Sequence, residues 1–170
     1  MSKKLTLTLW RDEIEYDVRS IMALLADTTP SDAPHHQKHL LQDVCEGENE
    51  RRTWRFANSA WAALNQALQS YINVPIADES TIDNTSGTPS AYTLHMMVGD
   101  EMGKHQPNAI KDAAHDFMVY TIVADWLGIV MPDYEEHWRS KAMKSMGDLS
   151  KVMDSSNRIG RIKAYFDLTY

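Results

Sequence analysis

From Phe117 to Met131 the chain is apolar at every position except Thr121, Asp125 and Gly128, and the stretch opens upstream at Ala113. A helix that is apolar nearly all round must be buried nearly all round. The run is shorter than the roughly 20 apolar residues of a membrane span, and Asp125 lies inside it. The expectation is the central helix of a small helical domain, wrapped by the rest of the 170 residues.

The rest of the chain supplies material for that wrapping. Five Trp and ten Met provide bulky core side chains, and 43% apolar with 24% charged residues is ordinary for a globular domain. A formal charge of −7 argues against a general nucleic-acid binder, which carries a basic domain. The acid is lopsided: residues 1–50 hold ten Asp and Glu against five Lys and Arg, a net of −5. Cys45 is the single cysteine, so no internal disulfide forms. The opening MSKKLTLTLWRDE lacks the apolar centre of a signal peptide, so Asn84-Thr85-Ser86 is discounted as a glycosylation acceptor.

Around the central helix the periodicities sort the chain into elements. Leu5, Leu7 and Leu9 alternate with Thr6 and Thr8, the pattern of a strand with one buried face. Ile14, Val18, Ile21, Met22 and Leu25 then fall at helical spacing, with Asp12 and Glu13 placed to complement the helix dipole. The two prolines of Thr28–Pro34 make a loop. His35–Cys45 is ambiguous between loop and short helix. From Glu48 to Ile72 a long helix is expected, with one stripe of Trp54, Ala57, Trp61, Leu64, Leu68 and Tyr71. A second stripe of Phe56, Ala60, Ala63 and Ala67 predicts packing on two sides. Residues 74–104 carry Pro75, Gly87, Pro89, Gly99 and Gly103; here Ser80–Ile82 and Ala91–Val98 suggest an inserted β-hairpin or extended arm. Pro107 suits the first turn of the central helix. Pro132 opens a further amphipathic helix with the stripe Tyr134, Trp138, Ala142, Met146, Leu149 and Met153, and residues 155–170 form an extended tail. The fold expected is mainly α: one domain, 1–170, of about four bundled helices with an N-terminal strand, the inserted arm and the tail.

Catalytic chemistry finds little support. His35, His36 and His39 cluster, but no C-x2-C or H-E-x-x-H spacing occurs, and His95, His105 and His115 recur at an interval without helical meaning. Cys45 sits between Asp43 and Glu46, neighbours that raise a thiol pKa. No G-x-S-x-G, P-loop or G-x-G-x-x-G is present. Asp125 is either a perturbed functional carboxylate or the partner of an Arg from a neighbouring helix. No enzyme activity, metal or cofactor is expected.

The segment His115–Leu127, ending Ala-Asp-Trp-Leu, is followed by Pro132 and a helix with Trp138 near its start; Leu7–Glu13 opens the chain with strand and helix, and Arg158–Lys163 closes it with a basic stretch. This pattern resembles small virion proteins of tailed phages and prophages of Bacteroides-type bacteria, and more broadly the helical head–tail connector, or neck adaptor, proteins. The resemblance covers about half the chain. It implies a helical bundle forming a ring beneath the portal, with itself, the portal and tail or neck proteins as partners. It also implies a place in the virion neck, or in the bacterial host cytoplasm during assembly, with no membrane. Interaction residues would be Ile82, Tyr92, Leu94 and Met96 on the arm, and Arg158, Arg161, Lys163, Tyr165 and Phe166 on the tail. If the ring surrounds DNA, Arg51, Arg52 and Arg55 are the candidate phosphate contacts. Two alternatives compete: a metal-dependent helical bundle using some of His36, His39, His95, His105 and His115, and a small-molecule module with Trp54, Trp61, Trp126 and Trp138 lining a cleft.

Overall fold

In the computed structural model the described residues are 2–29, 35–72, 89–99 and 102–166, with side chains described as far as Ser155 except at Ser2, His35 and Gln37. Strand β1 is Ser2–Trp10 and helix α1 is Arg11–Thr28; α2 is His35–Gln42, α3 is Gly47–Ala67, and a 3-10 turn occupies Gln69–Tyr71. Strand β2 is Ala91–Gly99, and the two long helices α4, Gln106–Val130, and α5, Pro132–Phe166, follow. The fold is mainly helical, as the periodicities predicted.

The buried face of the strand forms as its alternation requires. Leu7 and Leu9 are buried and Leu5 is partly covered. Ser80–Ile82, the other half of the expected hairpin, lies outside the described residues. Strand β2 pairs antiparallel with β1, a partner not anticipated, from Ser2↔Gly99 to Trp10↔Ala91. The reason is matching apolar faces. The register sets Leu9 opposite Tyr92, Leu7 opposite Leu94 and Leu5 opposite Met96, so both strands present one continuous apolar surface to the helices. Such a sheet is solvated on its other face, where Thr6 and His95 meet and are exposed.

Helix α4 is the core. Pro107 stands in its first turn, where a missing N–H costs nothing. Ten of its side chains are buried, Ile110 through Leu127, by α1, α3, α5 and β1 packed around it. By length and composition the 25 residues would also suffice to cross a membrane. Within the protein this is the position of a core helix. After Met131 the chain reverses at Pro132 and α5 runs back antiparallel along α4, burying Trp138, Ala142, Leu149 and Met153. At roughly 1.5–3 kcal/mol for each large apolar side chain removed from water, this pair dominates the core.

Two further expectations change. Helix α3 buries Trp54, Ala57, Ala60 and Leu64, but Ala63 and Ala67 are exposed. Among the described residues no element covers the Ala63 and Ala67 flank. The segment from Ser155 to Phe166 is a continuation of α5 rather than an extended tail. No proline interrupts the chain after Pro132, so nothing in the backbone ends the helix.

Candidate docking surfaces

The groups with catalytic or metal-binding chemistry are placed apart. His115 Nε2 lies 2.8 Å from Asp17 Oδ2, and His95 Nδ1 lies 3.1 Å from Thr6 Oγ1. His36, His39 and His105 are exposed. Among the described residues no three His, Cys, Asp or Glu side chains converge as a metal site. Burial, followed by the charge of Glu15, pushes the Cys45 thiol up to about 11; the sequence neighbours Asp43 and Glu46 are not the cause. That thiol is a poor nucleophile at neutral pH. Cys45 has a left-handed backbone, φ 65°, at the turn between α2 and α3. There its carbonyl accepts from Arg19 Nη2 at 3.2 Å and its N–H donates to Thr53 Oγ1 at 3.3 Å.

Asp125 has the second of its two expected fates. Arg139 Nη2 of α5 donates to Asp125 Oδ1 at 2.9 Å and to Glu135 Oε1 at 2.6 Å. The two acceptors raise the arginine pKa further, Glu135 first. Gly128 leaves the space for this group: a Cβ there would stand 2.9 Å from Glu135 Oε2. The carboxylate inside the apolar helix thus pins α4 to α5.

The four tryptophans expected to line a cleft do not come together as one. Trp54, Trp126 and Trp138 are core residues, and Trp61 packs its ring against Tyr92 at 5.3 Å. Trp126 Nε1 donates to the Leu40 carbonyl at 3.2 Å, tying α2 to the core helix. Arg11 lies over the Trp54 ring at 4.2 Å and donates to Glu50 at 2.8 Å.

Of the arm residues, Tyr92, Leu94 and Met96 are only 3%, 7% and 1% exposed. This corrects their place on an interaction arm: paired with β1, they are buried within the chain's own core. Ile82 lies outside the described residues. Arg158, Arg161, Lys163, Tyr165 and Phe166 lie on the α5 backbone, and their side chains are outside the described set. Arg51, Arg52 and Arg55 are all exposed, on adjoining positions of α3, and among the described residues none has an ion pair.

Two places bear on docking. The first is the end of α5. Gln106 Nε2, in the first residue of α4, donates to Ser155 Oγ at 3.3 Å. Since the helices are antiparallel, residues 156–166 of α5 run past the start of α4 for about 16 Å at 1.5 Å per residue. The second lies along β1. A groove of ≈ 270 Å³ is lined by Leu5, Thr6, Leu7 and Thr8 and by the opening turns of α4, and a contiguous groove of ≈ 340 Å³ continues past Thr8 to Trp10 and Glu13. The alternation at Leu5–Leu9 identified this strand in the sequence, but nothing local indicates which of its edges stays open.

No protein-family model, curated protein or solved structure matches the chain.

Proposed function

We propose that this chain is a structural assembly subunit acting through its surfaces, of the head–tail connector type, ringing the neck of a tailed phage beneath the portal. The observation that carries this reading is the length of α5. The helix is anchored to α4 at Ser155 and continues to Phe166 with Arg158, Arg161, Lys163, Tyr165 and Phe166. Basic and aromatic residues together are a composition favoured at protein interfaces, where Arg and Tyr are enriched. The mixed charge adds support. An acidic N-terminal half and a basic C-terminal helix on one subunit suit head-to-tail contacts, which close into rings.

In this reading the partners are further copies of the chain, the portal, and tail or neck proteins. Its places are the virion neck and, during assembly, the host cytoplasm. Arg51, Arg52 and Arg55 supply sequence-independent attraction to the phosphates of DNA passing through the ring.

The experiment is co-assembly. The full chain and a chain ending at Ser155 are each mixed with the portal protein encoded nearest this gene, and complexes are weighed by native mass spectrometry. Ring-sized complexes for the full chain alone are the expected result. Failure of the full chain to join the portal, or the lack of a portal, terminase or capsid gene nearby, overturns the reading.

A further inference from the structure

The first groove touches Leu5, Thr6, Leu7 and Thr8, four consecutive residues of one strand. Successive side chains of a strand point to opposite faces. A groove that meets all four therefore follows the backbone edge, not a face. The other edge of β1 is taken by β2, so the groove follows the outer edge. Among the described residues no backbone hydrogen bond reaches Leu5–Leu9 from any element other than β2. Unpaired N–H and C=O groups on a strand edge are a template for one more strand.

The surroundings of this edge favour a single extended segment. The start of α4 projects beside it, with the half-buried Pro107 as an apolar floor above the fully buried Ile110. An incoming strand rests on this floor while bonding to β1. A second copy approaching by its own β1 would bring its own α4 against this one, so a lone segment fits better than a sheet backed by helices. The two grooves share Thr8 and Lys111 and run from Leu5 to Trp10, about 20 Å of strand at 3.3 Å per residue.

Charge sets the chemistry and direction of the occupant. At the Trp10 end the groove is lined by Glu13 and Asp112. Lys111 lines it as well, and its ammonium is paired with Asp112 at 2.9 Å. His115, also at this end, is paired with Asp17. The Lys111–Asp112 pair is neutral as a whole, so Glu13 leaves this end with a net negative charge, and at the Leu5 end no carboxylate lines the groove.

We infer that the outer edge of β1 is a strand-addition site for an extended segment of a partner protein, apolar at alternate residues and carrying Lys or Arg at the end that meets Glu13 and Asp112. Strand addition draws its affinity from main-chain hydrogen bonds and its specificity from such side-chain contacts. The site is separate from the end of α5. It stands independently of the connector reading, because its test uses no virion component.

The probe is an acetylated nonapeptide with the sequence of residues 2–10, whose Lys3 and Lys4 make one end basic and whose leucines alternate. Binding to the full chain is followed by amide chemical shifts. Shifts confined to β1 and the first turns of α4 are expected. Replacing the two peptide lysines with glutamate leaves the protein untouched, and it should weaken binding at least 5-fold. The double variant Glu13→Lys, Asp112→Lys should weaken the original peptide by a similar factor and restore binding of the glutamate peptide. Absence of binding at millimolar peptide, shifts centred elsewhere, or indifference to both charge changes would overturn the inference. So would β1 shifts that grow with protein concentration alone, which would make the occupant a second copy.

Discussion

Helices α4 and α5 lie side by side, and their ends differ. Helix α4 buries side chains from Ile110 to Leu127, and Ile129 beyond them is exposed. Its apolar surface fixes its extent, because every added apolar turn needs a cover. Helix α5 is amphipathic, buries its last described core residue at Met153, and goes on to Phe166. The backbone of α5 runs on past the first residue of α4, which is why its final turns carry the docking proposal.

The comparison breaks first at α4. Trp126→Ala empties a fully enclosed indole site and removes its bond to Leu40. A loss of about 3–5 kcal/mol is expected on the scale of large-to-small core changes, read by urea denaturation. A loss below about 1 kcal/mol would mean that α4 is not the centre of the core.

An alkaline titration probes the shell around it. Cys45 is held up to about 11, mainly by burial, and Tyr92, whose hydroxyl donates to Asn58 Oδ1 at 2.8 Å, is held up to about 12 by the same cause. Both groups are neutral when protonated and their folded pKa values are raised. Their contribution is therefore full below the unfolded values near 9 and 10, and it is lost as pH rises through 11 and 12. The Cys45 share is roughly 2 kcal/mol by linkage. Melting at stepped pH should show a steep fall above pH 9, made shallower by Cys45→Ala. A flat profile to pH 11 would contradict the burial of these groups.

At the joint between the helices, Arg139→Ala strands Asp125. Arg139 is 43% exposed at its side chain, so solvent screening limits the loss to about 1 kcal/mol, checked by the same denaturation. The smallest effect is a gain. A Cβ at Gly147 of α5 meets nothing within 4 Å, so Gly147→Ala should stabilise by about 0.5–1 kcal/mol through backbone entropy alone. Gly128→Ala on α4 should gain less, because Glu135 must move away from the new methyl group.

What was legible in the sequence was what local spacing determines. The apolar run of α4, the alternation of Leu5, Leu7 and Leu9, and the Pro107 start each follow from a few adjacent residues. Asp125 illustrates the boundary: the kind of partner it needs follows from burial, but choosing Arg139 requires knowing that α5 folds back antiparallel. The partner of β2 lay beyond reach for the same reason. Leu7 and Leu94 pair across more of the chain than any local pattern spans, so the local spacing of Tyr92, Leu94 and Met96 reads as an arm although they are core. The exposed flank of α3 was illegible too, since Ala63 and Ala67 suit a close helix contact only when a helix is there to make it. The open edge of β1 depends on which strand takes the other edge, again a long-range fact.

The most direct test of the division between α4 and the end of α5 is the unfolding free energy of a chain ending at Ser155 against that of the full chain, by urea denaturation at equal concentration. A difference under about 1 kcal/mol, the range of changes outside the core, is predicted, with unchanged cooperativity. A loss of several kcal/mol would show that residues 156–166 belong to the core and would contradict the account.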